Sequence, residues 1–303
     1  MQETNIEYTF DYDGENFTTV LDGQELVGCQ WIPPTPEIKF VLIFFHGLGA
    51  FVSINRSFFP EILKNGGAII GTDHLGHGRS PGDRGNVTSE MLHAELTLLI
   101  NRATILFPTA PLFVYGHSMG GLAAISFALA YPLETEKLSG LIIEAPWLND
   151  TEEIRHSLPH NIIGKFGRFL FPTLVIDTGD GIEKTQYPKE FISSYIDSKL
   201  PHDFITPRLY ASSFDMRKII KEKYKEWPKH LALLFMQGGL DASVGIDKNL
   251  KWAETMRDLF PDKVRLSFHP DAEHAMLRNA CGTTVLREVV DFISWILSSE
   301  CMI

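Results

Sequence analysis

Gly116-His117-Ser118-Met119-Gly120-Gly121 stands between an apolar run, Leu112 to Tyr115, and a helical run that begins at Leu122. A serine on so tight a strand-to-helix turn is forced into strained dihedrals, and flanking residues without side chains let the two backbones approach. The helix N-terminus beneath Ser118 favours the negative charge that develops as its oxygen attacks. The chemistry implied is nucleophilic acyl transfer. A serine hydroxyl is a weak nucleophile near neutral pH, so it needs a base, and the base needs a third group to fix its tautomer.

On strand-to-helix turns of this kind the partners follow in the order serine, acid, histidine. Gln237-Gly238-Gly239-Leu240-Asp241 is the loop after the buried-strand run Leu231 to Met236, which makes Asp241 the acid. The competing Asp247 suits helix initiation better. Two histidines follow the last strand, Val264 to Phe268. His269 abuts the strand end, whereas His274 lies in a loop, Pro270 to Ala275, long enough to swing an imidazole over Ser118. His274 is therefore the base. His46, His74, His77 and His117 read as structural, with His46 closest to a site role.

A tetrahedral intermediate also needs two backbone N–H groups aimed at its oxygen. Met119 supplies one. The other comes from the loop after Phe40 to Phe45, where His46-Gly47-Leu48-Gly49 places Leu48 N–H as the second donor. The expected reaction is acylation of Ser118 and its reversal by water, with no metal or cofactor.

Positioning these groups requires several strands that end on one side of a sheet. Phe40 to Phe45, Ala68 to Gly71, Leu112 to Tyr115, Leu138 to Ile143 and Leu231 to Met236 are continuous apolar runs, the pattern of strands buried on both faces. Val264 to Phe268 alternates, as an edge strand does. Helical periodicity falls between them, around Phe58 to Lys64, Ser89 to Leu106, Met119 to Ala130, Asp247 to Leu259 and Val285 to Leu297, so the sheet is mostly parallel and wrapped by helices. The N-terminus predicts antiparallel strands at Ile6 to Tyr12 and Phe17 to Leu21, turning at Asp13-Gly14, with a third at Glu25 to Ile32. From Pro146 to Pro228 the alternation lapses and prolines interrupt short helical pieces. The domain reading is a core over residues 1–145 and 229–303, with a mainly helical cap inserted at 146–228.

Composition narrows the partners. In 303 residues, 44% hydrophobic and 21% charged, 27 Lys and Arg face 38 Asp and Glu, a net charge of −11. That is the wrong sign for holding nucleic acid by its phosphates. Cys29, Cys281 and Cys301 are widely spaced and read as reduced thiols. With no basic-then-apolar start and no run of about 20 apolar residues, the expected location is cytoplasmic. The sequence sets no oligomeric state.

The order of Phe45-His46-Gly47-Leu48-Gly49, Asp73-His74-Leu75-Gly76-His77-Gly78-Arg79-Ser80, the Ser118 turn, the Asp241 loop and Glu273-His274 resembles monoacylglycerol lipases and lysophospholipase-like serine hydrolases of the α/β-hydrolase fold. The resemblance runs from about Phe40 to the C-terminus. It implies a Ser118, Asp241, His274 triad, an oxyanion hole at Leu48 and Met119, and a small acyl-ester substrate. Where animal members place an acidic residue and a second histidine that read the glycerol head group, this sequence has Ala50 and Leu277, and Arg56 matches their arginine only loosely. Ala50 and Leu277 thus mark a rebuilt substrate-binding end. In the cap, Ile162 to Phe171 is apolar with two cations; packing over an acyl tunnel is the favoured use, transient contact with a membrane surface the alternative. A serine aminopeptidase of the proline-iminopeptidase type, anchoring an amine through Glu152, Glu153, Asp177 or Asp180, an acyltransferase, and a ligand-binding homologue without turnover are the competing functions.

Overall fold

The computed structural model describes residues 11–151, 167–177 and 199–300. β1 (Glu15–Leu21) and β2 (Gln24–Trp31) form an antiparallel hairpin across Asp22-Gly23. Both turn residues have positive φ, 49° and 76°, the requirement of the hairpin turn whose twist matches its strands. The two strands are those expected at Phe17 to Leu21 and Glu25 to Ile32. Asp13 accepts from Trp31 Nε1 at 2.8 Å and forms a bidentate pair with Arg56. Most of the run Ile6 to Tyr12 lies outside the described residues.

β3 (Phe40–Phe45), β4 (Gly67–Thr72), β5 (Leu112–His117), β6 (Leu138–Glu144), β9 (Ala232–Gly238) and β10 (Val264–His269) continue the sheet in the order β1-β2-β4-β3-β5-β6-β9-β10. All neighbours from β4 onward are parallel, and β2 pairs with β4 antiparallel. A two-stranded ribbon, β7 (Ile176–Asp177) with β8 (Phe204–Ile205), stands apart. Every residue of β3, β4, β5 and β9 is buried, whereas in β10 at the edge only Val264 is.

Successive side chains of a strand point to opposite faces, so one apolar run serves two cores. Val41, Ile43 and Phe45 face α2 (Ser89–Leu106), α3 (Met119–Ala130), α4 (Pro207–Lys223) and α5 (Ile246–Leu259). Phe40, Leu42 and Phe44 face α1 (Phe59–Lys64) and α6 (Gly282–Glu300). The helices cover both faces, as parallel strands require.

Of the segment read as a cap, α4 packs against α3 on the core. Thr206 starts α4 by accepting from Leu209 N–H and donating to Gly85 O at 2.8 Å. Ile162 to Phe166 lie outside the described residues. The following Phe169, Leu170 and Phe171 are 74%, 70% and 62% exposed, which corrects the expectation that this stretch packs inward. No helix among the described residues is long and apolar enough to cross a membrane.

Backbones also pack closely where α3 begins. A Cβ added at Gly120 would stand 2.2 Å from Phe45 O and 2.5 Å from His46 O, both backbone atoms that cannot rotate away. Gly120→Ala should lower the stability measured by urea unfolding by about 3 kcal/mol.

Candidate active site

β5 ends at His117 and α3 starts at Met119, leaving Ser118 alone between them at φ 54°, ψ −114°. This positive φ is strained for a residue with a side chain. Hydrogen bonds sustain it. Ser118 N–H donates to Glu144 O at 3.0 Å, and Ser118 O accepts from Leu122 N–H at 3.0 Å and Trp147 N–H at 3.1 Å. The side chain is thereby presented at the carboxyl end of the sheet.

Asp241 and His274 come from the same end, on the loops after β9 and β10. The loops are tied together by Gly239 N–H to His269 O, 2.8 Å, and Leu240 N–H to Ala272 O, 2.9 Å. His274 Nδ1 lies 2.8 Å from Asp241 Oδ2. A carboxylate only accepts, so Nδ1 carries the hydrogen and Nε2 is left as the basic nitrogen. Asp241 is fixed by Gln237 Nε2 at 3.0 Å and by Ser243 and Val244 N–H. Burial pulls the His274 pKa down, but the charge and hydrogen bond of Asp241 outweigh it and Glu144 adds to them, so the pKa is raised; Arg278 opposes. Protonated His274 is thus stabilised, as a general base requires.

Ser118 joins this pair through its neighbour. The His117 ring packs 4.8 Å from the His274 ring, and His117 Nε2–H donates to His274 O at 3.3 Å. Burial holds the His117 pKa well below the ordinary value, and it stays neutral. No hydrogen bond joins Ser118 Oγ to His274 among the described residues. His269 contacts Ser267 Oγ and Glu288 at the sheet edge, and Asp247 lies in the first turn of α5.

The loop after β3 closes the site from the other side. A Cβ at Gly47 would lie 3.1 Å from Ser118 Cβ, so the chain passes the nucleophile at backbone distance. Neither Leu48 N–H nor Met119 N–H donates a hydrogen bond within the described residues. They are free for an oxyanion. Beneath them His46 Nε2 accepts from His74 N–H at 3.1 Å, and His74 Nε2–H donates to His46 O at 2.9 Å. His74 Nδ1 meets Glu95 Oε1 at 2.8 Å with both side chains fully buried. Burial lowers the His74 pKa, but the charge and hydrogen bond of Glu95 outweigh it and raise it. His74 is then an imidazolium that donates at both nitrogens, one of them into the oxyanion loop.

Ala50 and Leu277 are buried in one core cluster, and Leu277 lines a small apolar pocket with Asn55, Phe58 and Tyr115. Arg56 is drawn to Asp13, 2.6 Å away, and this pair occupies its guanidinium. Among the described residues no group of three or more His, Cys, Asp or Glu is disposed to hold a metal ion. Sequence reasoning missed Glu144, whose Oε1 accepts Leu277 N–H at 3.1 Å and whose Oε2 takes the Tyr115 hydroxyl at 2.5 Å. The signal was available: an acid that closes an otherwise apolar strand.

A parallel sheet wrapped by helices, with a strained serine at one strand end and an Asp–His pair at two others, defines an α/β-hydrolase. A family model described as serine aminopeptidase, S33 matches residues 36–280, and the chain belongs to that family. It is 26% identical over 280 residues to the monoacylglycerol lipase of Mycolicibacterium smegmatis, covering 91% of this chain and 94% of that one. It is 27% identical over 154 residues to the monoglyceride lipase of Rattus norvegicus, where it spans about half, 49%, of the relative's length. The crystal structure of the monoacylglycerol lipase of Paleococcus ferrophilus superposes with a TM-score of 0.75 at 22% identity, over 90% of this chain and 99% of that one.

Because the His74 pKa is raised by folding, the stability that its pair with Glu95 contributes is complete below the ordinary imidazole value and is lost as pH rises through the raised one. Glu95→Leu strands a buried imidazolium and should cost about 3–5 kcal/mol in urea unfolding at pH 6. The gap to wild type should narrow as pH rises.

Proposed function

We propose that the chain is a serine carboxylic-ester hydrolase of the monoacylglycerol-lipase and lysophospholipase type, acting on a small lipid-like acyl ester. The observation that carries this reading is the 2.8 Å His274–Asp241 bond at the same sheet end as a strained Ser118. His274 Nε2 takes the Ser118 proton as Oγ attacks the ester carbonyl, and the Leu48 and Met119 N–H groups hold the oxyanion. His274 then protonates the leaving alcohol. Water, deprotonated by the same nitrogen, attacks the acyl-enzyme and frees the acid and Ser118.

The substrate's polar end differs from an acylglycerol reader, since Ala50 and Leu277 are apolar and Arg56 is committed to Asp13. The reading is therefore of a carboxylic ester with a small alcohol of weak polar demand. The exposed Phe169, Leu170 and Phe171, followed by Leu174 and Val175 at 51% and 56% exposure, favour transient contact with a lipid surface. Arg168 beside them is paired with Asp215 at 3.0 Å, so the contact is apolar rather than electrostatic.

The family description favours one second reading, a serine aminopeptidase. Of the carboxylates that might anchor an amine, Glu152, Glu153 and Asp180 lie outside the described residues. Cleavage of aminoacyl-anilides without turnover of esters would replace the esterase reading.

Ser118→Ala should lower kcat on p-nitrophenyl esters by about five to six orders of magnitude with folding intact, and Asp241→Asn by about four. Wild-type-like rates in either would reject the triad. Because the His274 pKa is raised, kcat/KM should fall as pH drops through a single ionisation above 6.5, the ordinary imidazole value. Phe169→Ser with Phe171→Ser should slow hydrolysis of a vesicle-borne monoacylglycerol and leave p-nitrophenyl butyrate unaffected. Equal effects on both substrates would reject the surface contact.

A further inference from the structure

A second carboxylate stands in the neighbourhood of the base. Glu144 is the last residue of β6, 1% exposed, and its backbone carbonyl is the acceptor that holds Ser118 N–H at 3.0 Å. Its side chain reaches the other way. Oε1 accepts Leu277 N–H at 3.1 Å, three residues past His274, and Oε2 accepts the Tyr115 hydroxyl from β5 at 2.5 Å. One residue thus ties the backbone of the nucleophile to the loop of the base.

The groups facing this carboxylate from the packed elements are few: Tyr115 on β5, His274 and Arg278 on the loop after β10, and Cys281 ahead of α6. Both of its oxygens accept from donors that keep their own hydrogens, and the Arg278 cation faces it. Burial is the largest influence and pushes the Glu144 pKa above the ordinary carboxylate value, while the Tyr115 hydroxyl, Arg278, the Leu277 N–H and His274 oppose it. An ionised Glu144 satisfies every one of these partners. A neutral acid would bring a third hydrogen to a cluster that already holds two donors.

We propose that Glu144 is a positioning residue for His274, holding the 274–278 loop in register with Ser118 and supplying a second negative charge beside the imidazolium that forms during attack. The inference rests on the Ser118, Asp241, His274 reading above. Asp241 fixes which nitrogen is basic, through a direct bond to Nδ1. Glu144 touches no reacting atom and acts through the loop and through its field. The His274 basicity then depends on three charges, with Asp241 and Glu144 raising it and Arg278 lowering it, while neutral His117 packs on the ring.

A loop support alone would set the height of the pH–rate profile, and a charge would also set its position. Glu144→Gln keeps the shape and one acceptor oxygen for the Leu277 N–H, puts an NH2 group where the Tyr115 hydroxyl can turn to accept, and removes the charge. With p-nitrophenyl butyrate, it should lower kcat/KM at pH 7 about ten- to a hundredfold, part of what general-base catalysis contributes. Its acid limb should move to lower pH, because a less stabilised imidazolium gives up its proton sooner. Glu144→Asp, which keeps the charge, should hold the limb at the wild-type position at a reduced rate. An unmoved limb in Glu144→Gln, with or without a loss of rate, would overturn the proposal.

Should Glu144→Gln not fold by circular dichroism, Arg278→Met gives the opposite test: removing the cation should move the limb to higher pH, and an unmoved limb there would likewise overturn it. Fluorophosphonate labelling separates the two levels. Wild type unlabelled at Ser118 would overturn the triad reading itself, whereas a labelled wild type with a profile indifferent to both variants would overturn only the role of Glu144.

Discussion

The site depends on one close approach, the passage of the β5–α3 turn against the end of β3. Ser118 holds its strained dihedrals only because the chain before and after it is pinned, by Glu144 O on β6 and by the first turn of α3. Gly120 brings that helix to contact distance with Phe45 O and His46 O. Gly47, two residues beyond the strand, passes Ser118 at a similar range. In the proposed reaction, strain at the nucleophile and the placing of the Met119 and Leu48 N–H groups both depend on this packing, and a Cβ in the contact would disturb both.

Around that contact the chain buries ionisable groups that an apolar core would not need. His74 and Glu95 are fully buried beneath the oxyanion loop, Asp241 holds His274, and Glu144 lies with Tyr115 and Arg278 below the base. Buried pairs of this kind rarely stabilise more than well-packed hydrophobic residues of the same volume. Their directional bonds provide something packing does not. His74 fixes the His46 carbonyl, Asp241 fixes one imidazole nitrogen, and Glu144 fixes the Leu277 N–H. Each pair ends on a backbone or ring atom of a loop that must be held in place for catalysis, which is the reason to accept the desolvation.

The strands and helices were legible because their signals are local. Phe40–Phe45 is an unbroken apolar run and proves buried at every position; Val264–His269 lies at the edge, as its mixed sequence implied, though Phe268 is exposed and the burial does not alternate. The Ser118 turn announced itself by glycines at fixed offsets, and the Asp241 and His274 loops by their places after strands. What escaped was set by contacts between distant residues. Asp13, read for its turn with Gly14, is bound by Arg56, 43 residues away. Glu144 looked like the polar end of a strand, since its partners Tyr115 and Leu277 lie 29 and 133 residues away. The exposure of Phe169 to Phe171 was equally invisible, for an apolar segment reads alike whether it packs inward or faces outward.

The division between what the core fixes and what the insertion varies follows from the geometry. In the proposed reaction, attack, oxyanion binding and proton transfer fall to residues at the carboxyl ends of β3, β5, β9 and β10. The proposed alcohol side is bounded by Ala50 and Leu277, whose apolar side chains are built into the core beside the pocket of Asn55, Phe58 and Tyr115. Leu277 has a double role there: its side chain shapes the pocket while its N–H anchors the base loop on Glu144. Changing the side chain to read a polar head group therefore alters a wall that leans on the base loop, so selectivity at this end is mechanically coupled to the basicity of His274.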